Sequence, residues 1–170
     1  MKYPKHLWNL IFQHSHNNSP SFTLTVPARK MTTTNNYQGN CIFCKILRKE
    51  EPGESVYENE DIVCIKDINP ASTHHYLIIP KIHIANAKVL KKENEELYDK
   101  MIASVDVISD RFGLEKSSLR TGFHWPPFTT VGHLHLHVIS PVENMSFVKN
   151  IMFKPNSLWF VSTDYVKSRF

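Results

Sequence analysis

His133-Leu134-His135-Leu136-His137-Val138-Ile139 decides how the rest of this chain is read. Polar and apolar residues alternate from 133 to 138, the period of a β-strand, whose side chains point to opposite faces in turn. Leu134, Leu136 and Val138 therefore share one face, which belongs against a core, and His133, His135 and His137 share the other. Three imidazoles on one face can donate, accept, ligate or attack near neutral pH. At this level three uses stay open. The face is simply solvated; or it shares a transition metal, although no carboxylate nearby in sequence completes such a site; or the neutral middle imidazole attacks phosphorus and forms a covalent phospho-histidine. The last use requires one ring nitrogen free and the other held by an acceptor, with neighbouring imidazoles binding phosphate oxygens or protonating the leaving group.

Upstream of this run, Ile62-Val63-Cys64-Ile65-Lys66 and residues 76–79 are β-rich, the first ending at Asp67-Ile68-Asn69-Pro70 and the second at Pro80, where proline stops a ladder. Between 93 and 112, apolar residues at Leu97, Met101, Val105, Ile108 and Phe112 trace one stripe of a long helix. Gly113 is placed to end it, because glycine accepts the left-handed conformation. Residues 118–123 predict another strand, separated from the histidine run by the Pro126-Pro127 loop, and 158–161 a last one. No glycine-rich βα turn of the dinucleotide-binding type occurs, and no internal repeat. The pattern predicts an α+β class, an antiparallel sheet with a helix packed on one face.

A chain of 170 residues suits one domain with a real core. With 41% hydrophobic and 21% charged residues it has the composition of a globular protein, and its apolar runs are too short for a spanning helix, so no membrane partner is expected. Four of the 20 basic residues, Lys2, Lys5, Arg29 and Lys30, fall in residues 1–40, which hold no acid; the remaining 16 are balanced by 16 acids. A neutral domain lacks the electrostatic footprint of broad nucleic-acid binding, so any nucleotide it binds is small. Residues 1–40 read as a flexible extension ahead of a folded domain over 41–170, with an organellar targeting segment as the alternative and Met31 as an alternative start. The apolar stretch Leu7-Trp8-Asn9-Leu10-Ile11-Phe12 is too short and interrupted for a secretory signal. Cys41, Cys44 and Cys64, an odd number, predict reduced thiols and an intracellular setting.

The histidine run matches the pattern His-φ-His-φ-His-φ-φ, where φ is apolar. Cys41-Ile42-Phe43-Cys44-Lys45-Ile46, Asp67-Ile68-Asn69-Pro70 and Thr73-His74-His75-Tyr76-Leu77-Ile78-Ile79-Pro80-Lys81-Ile82-His83-Ile84 also resemble, in the same order, segments of the histidine-triad nucleotide-binding superfamily. Gly122-Phe123-His124-Trp125-Pro126-Pro127-Phe128 and Ser157-Leu158-Trp159-Phe160 point to its Hint branch. The resemblance implies a histidine-triad fold, an antiparallel sheet of about five strands with one long helix and a short N-terminal helix. It implies an adenosine 5′-monophosphoramidase that hydrolyses the P–N bond of AMP-amine compounds, and acyl-adenylates as further substrates. Alternatives within it are a non-catalytic purine-nucleotide-binding regulatory module and a dinucleoside polyphosphate hydrolase.

Under this resemblance the motif residues are His133, Leu134, His135, Leu136 and His137. His135 becomes adenylylated, His137 contacts the phosphate, and Asp67 holds the ribose hydroxyls, a sensible task for a carboxylate that accepts two hydrogen bonds. Asp67 is otherwise a turn former before Asn-Pro. Ile42, Phe43, Ile46 and Ile68 match the apolar slot around the base, with plain core as their ordinary use. Thr130 stands where relatives place a leaving-group-side serine, while Gly122 and the Pro126-Pro127-Phe128 loop replace an asparagine and glycines near the phosphate, which leaves the substrate order open. No catalytic cofactor is implied. Some relatives bind a structural zinc through a Cys-x-x-Cys pair and two histidines, and Cys41, Cys44, His75 and His133 stand in those places, a closed Cys₂His₂ set. The expected partners are a small AMP-type nucleotide and a second copy of the chain in a homo-oligomer. The expected location is the cytoplasm and nucleus, with mitochondrial targeting by the extension as the alternative.

Overall fold

Alternating apolar residues on successive short segments build a single antiparallel sheet. In the computed structural model, which describes residues 36–170, its strands are β1 (Ser55–Glu58), β2 (Ile62–Lys66), β3 (His74–Pro80), β4 (Arg120–His124), β5 (Leu136–Ser140) and β6 (Phe160–Val161). They lie in the order β1-β2-β3-β5-β4-β6. Most of the extension expected over 1–40, with the stretch 7–12 and Met31, falls outside the described residues. The six strands exceed the expected five by β1, a half-exposed edge strand too short to stand out in the sequence. Among the described residues no helix is long and apolar enough to cross a membrane.

The two faces of the sheet are used differently. On one, Ile62 and Cys64 of β2, Tyr76 and Ile78 of β3, Leu136 and Val138 of β5 and Phe123 of β4 form the main core against α2 (Glu95–Phe112). That helix buries Tyr98, Met101, Val105 and Ile108; Leu97 and Phe112, at the ends of the expected stripe, are only half-buried. Gly113 ends it in the left-handed conformation, φ 63°. A C-terminal helix α4 (Thr163–Lys167) is latched to α2, the Tyr98 hydroxyl donating to the Thr163 carbonyl at 2.6 Å.

The opposite face is covered in two pieces. α1 (Ile42–Leu47) lays Phe43 over Val63, Ile65, Leu77 and Ile79. The segment after β5, with α3 (Phe147–Met152) and β6, lays Met145, Phe153 and Phe160 over Ile139. His75 of β3 is paired with Ile139, and His137 of β5 with Leu77 and Gly122, so these histidines stand in the gap between the two covers.

β5 begins at Leu136, three residues later than the alternation predicts. Continuing the β3–β5 register would set Leu134 opposite Pro80, which has no N–H to give to a ladder. The chain diverts instead: the Leu134 N–H donates to the Ile84 carbonyl at 2.6 Å, and the His133 ring reaches the Pro80 carbonyl. Leu134 is nonetheless buried in the main core, as the alternation requires.

Candidate active site

His133, His135 and His137 are only 0%, 7% and 4% exposed, which removes the solvated-surface use of the histidine face. What remains is set by the partner of each ring nitrogen.

The His135 Nδ1 lies 2.6 Å from the His133 carbonyl oxygen, which can only accept, so Nδ1 carries the proton and Nε2 keeps its lone pair. Burial pushes this imidazole down to about 4, so at neutral pH it is a free base. His137 is arranged in the opposite sense. The Ala71 N–H donates to His75 Nδ1 at 3.1 Å, so the proton of neutral His75 sits on Nε2 and is given to His137 Nδ1 at 2.9 Å. His137 must then hold its own proton on Nε2, and that atom is buried without a protein partner. A lone pair on His135 thus stands beside an unspent N–H on His137, the rings 4.8 Å apart.

The Asp67 carboxylate also faces His75 Nδ1, at 3.5 Å. It is no ion pair at neutral pH, because burial pushes His75 down to about 4 and the nearer amide already occupies the nitrogen. Asp67 Oδ1 accepts the Asn69 N–H at 2.8 Å, an Asx turn that fixes the carboxylate at the end of β2. Next to it Ile68 is 99% exposed. An isoleucine held wholly in the open is not part of the core. Phe43 packs edge-on against His135, ring centroids 5.2 Å apart, while Ile42 is 41% exposed and Ile46 half-buried.

On the far side His124, the last residue of β4, sets its ring 4.9 Å from His137 at 84°. Its Nδ1 donates to the Trp159 carbonyl at 3.2 Å, and burial holds its pKa below the ordinary range. Phe153 and Phe160 wall both histidines. Gly122 pairs with His137, and a Cβ there would sit within 3.0 Å of the Val161 carbonyl and the Phe160 ring, so the close approach of β6 demands glycine.

His133 has separate company. Its Nε2 donates to the Pro80 carbonyl at 3.0 Å, which leaves Nδ1 as a lone pair 3.4 Å from Cys41 Sγ and 3.5 Å from Cys44 Sγ. The fourth member is His83, its Nδ1 3.3 Å from Cys44 Sγ, and not His75, which belongs to the His137 chain. The reason lies in β3: His75 and Pro80 bracket the strand, so the His75 side chain is a whole strand length from His133, whereas His83 follows Pro80 and turns back beside it. Asn36 holds His83 in place, Oδ1 accepting its backbone N–H at 2.8 Å. The ligand atoms of Cys41, Cys44, His83 and His133 lie within 4.8 Å of one another, a cluster that can hold a metal ion. The 3.3–3.5 Å separations match the roughly 3.3–3.8 Å edges of a tetrahedron with Zn–S of about 2.3 Å and Zn–N of about 2.0 Å.

Of the residues singled out in the sequence, His135 and His137 lie ring to ring, the Asp67 carboxylate reaches the same cluster through His75, Phe43 packs on His135, and His133 points to the cysteines. Sequence reasoning assigned no role to His83, His124, Phe153 or Phe160. His124 carried one signal, its spacing of two from Gly122, but only the pairing of Gly122 with His137 puts that face beside the triad.

Residues 40–153 match the family model described as "Scavenger mRNA decapping enzyme C-term binding". The chain is 42% identical over 134 residues to "Adenosine 5'-monophosphoramidase HINT3" of Mus musculus, covering 77% of this chain and 81% of that protein. It is 39% identical over 130 residues to the Xenopus tropicalis protein of the same name, covering 75% and 85%. Among solved structures it is similar to "HIT family hydrolase from Clostridium thermocellum", with a TM-score of 0.57 and 36% identity over 60% of this chain and 90% of that one.

Proposed function

The chain belongs to the histidine-triad superfamily, and from that membership we propose that it is a nucleotide hydrolase that cleaves the P–N bond of AMP-amine compounds. One observation carries the reading: a free lone pair on His135 Nε2 stands beside an unpartnered, buried N–H on His137 Nε2. Such a pair suits a phosphoryl centre, which needs a nucleophile for phosphorus and a donor for its oxygens.

In the first step the His135 Nε2 lone pair forms a bond to phosphorus as the P–N bond to the leaving amine breaks, and the amine nitrogen takes up a proton from solvent. In the second, water adds to phosphorus and gives up a proton to solvent, the His135–phosphorus bond breaks, and AMP leaves with His135 restored. The His137 Nε2–H donates to a non-bridging oxygen in both steps, and the substrate relieves the cost of burying that group unpaired. His75 is a positioning residue: by donating a hydrogen bond from Nε2–H to His137 Nδ1 it keeps the His137 proton on the side facing phosphate. Asp67 accepts from the ribose hydroxyls, and Phe43 and Ile68 flank the base. Acyl-adenylates enter the same chemistry with a carboxylate as leaving group.

We propose further that Cys41, Cys44, His83 and His133 hold a structural zinc. All four ligands come from the protein, so no position is left for substrate, and the ion would tie α1, which carries Phe43, to the start of the triad. The reading places all of the chemistry in residues 41–170.

The test is a single-turnover reaction with adenosine 5′-phosphoramidate, quenched in base and mapped by mass spectrometry. The expected result is AMP attached to His135 and no attachment in His135→Ala. Hydrolysis that survives His135→Ala, or adduct elsewhere, excludes the mechanism.

A further inference from the structure

The cysteine cluster is unevenly covered. Cys44 and His133 are 0% exposed, whereas Cys41 is half-buried, and Cys41 and His83 line an open groove of about 410 Å³ together with Gln38, Asn40 and Thr130. Among the described residues its lining carries no charge. One sulfur therefore meets small neutral solutes from outside, and the other stands behind it.

The two sulfurs are also set for each other. Cys41 caps α1 and Cys44 lies one turn on; the Cys44 N–H points at Cys41 Sγ, 3.5 Å away, and the two sulfurs converge on His133 Nδ1 at 3.4 and 3.5 Å. Cysteines three residues apart on one turn are neighbours, within the Cα separation of about 4.4–6.8 Å that a disulfide spans. Cys64 has neither property. It is 0% exposed in the main core, on the opposite face of the sheet, and burial pushes its thiol up to about 12.

We propose that Cys41 and Cys44 form an oxidation site: hydrogen peroxide entering by the groove joins them in a disulfide, and the metal they hold with His83 and His133 is released. The Cys41 thiolate attacks one peroxide oxygen; the O–O bond breaks, Cys41 becomes a sulfenic acid, and the departing hydroxide takes a proton to become water. The Cys44 thiolate then attacks Cys41 Sγ; the S–O bond breaks, and a second hydroxide leaves and is protonated to water. Two electrons pass from the sulfurs to the peroxide, and exchange with a dithiol restores the pair. With two of its four ligands spent in the disulfide, the site loses its hold on the ion.

The event reaches the triad through Phe43, which lies between the two cysteines in sequence and packs edge-on against His133 at 5.9 Å and His135 at 5.2 Å. Drawing the sulfurs together and freeing His133 Nδ1 shifts the ring that packs on the nucleophile. The oxidation site stands on the cluster alone. Its effect on turnover rests on the phosphoramidase reading above, and the release of metal rests on the zinc reading.

The experiment treats the full chain, as purified with its zinc, with hydrogen peroxide. It follows zinc release with a colorimetric chelator, peptide masses without reduction, and kcat/KM for adenosine 5′-phosphoramidate. The expected result is a peptide carrying Cys41 and Cys44 that is lighter by two hydrogens, about one zinc released per disulfide, Cys64 still a thiol, and kcat/KM lowered about tenfold. Dithiothreitol with zinc should restore activity, which separates this event from methionine oxidation. Cys64→Ala should react as the wild type does, and Cys41→Ser should form no disulfide. Cys41 and Cys44 that stay reduced, or oxidation that stops at a Cys41 sulfinic acid, overturns the oxidation site. Disulfide and zinc release with unchanged kcat/KM overturns the link to the triad. Disulfide formation in a chain purified without zinc upholds the oxidation site and overturns the zinc reading, and disulfide formation in a chain that never hydrolyses the amidate upholds it and overturns the phosphoramidase reading.

Discussion

His75 Nε2 lies 2.9 Å from His137 Nδ1, and because the Ala71 amide occupies the other nitrogen of His75, this one contact dictates which side of His137 bears its proton. Removing the donor frees His137 to move its proton to Nδ1. For His75→Phe we expect kcat to fall about tenfold to a hundredfold with KM little changed, somewhat less than the loss of a whole oxyanion donor. His75→Asn, which keeps an N–H, should recover part of the loss. Unaltered kcat in His75→Phe would show that the His137 proton needs no such guidance.

Burial also makes this cluster sensitive to acid. The folded-state pKa of His75 is about 4, and those of His137 and His124 are lowered by the same desolvation, while in the unfolded chain each returns toward 6.5. Between those values the unfolded state binds protons that the folded state does not. Stability therefore falls as pH drops below about 6.5; His75 contributes a loss of about 1.4 kcal/mol per pH unit down to about 4, and His137 and His124 act in the same direction. Denaturation midpoints measured at pH 7, 5.5 and 4.5 should decline in that order, and less steeply in His75→Phe. A midpoint constant from pH 7 to 5 contradicts the assignment.

His83, rather than His75, completes the cysteine cluster. Purified protein should contain about one zinc per chain, His83→Ala should lose it together with thermal stability, and His75→Ala should keep it. Metal analysis reads all three proteins. Equal zinc content in wild type and His83→Ala rules out the four-ligand site.

Gly122 is where β4, β5 and β6 crowd together. Gly122→Ala pushes a methyl group toward the Val161 carbonyl and the Phe160 ring, and overpacking of this kind costs about 1–3 kcal/mol. Phe160 also packs against His124 and His137, so activity should drop with the melting temperature. A variant as stable and active as the parent would mean that β6 shifts freely.

Asp67→Asn should raise KM about tenfold for adenosine 5′-phosphoramidate, since a hydrogen bond to a charged group contributes about 1.5–3 kcal/mol. The change should be small for the 2′,3′-dideoxy analogue. Equal effects on both substrates would place Asp67 away from the ribose.

Local rules were enough for much of the molecule. The stripe from Met101 to Ile108 fits the helical period, Gly113 stands at its end, and the alternation through Leu134, Leu136 and Val138 identifies the core face even where the ladder itself stops. Other features have no local signature. β1 is too brief and too exposed to stand out, and nothing near His75 in the chain distinguishes a zinc ligand from a partner of His137.

The sequence by itself determined the fold class, the spacing of the triad and the apolar face behind it, because each depends on periodicity and on the limits of proline and glycine within a few residues. Only the tertiary structure decided which nitrogen of each of these histidines carries its proton, which histidine joins the cysteines, and that His124 borders the triad. Those facts depend on contacts between strands and loops distant in the chain, such as Ala71 with His75 and His75 with His137, and a hydrogen bond is assigned by the atoms that meet in space.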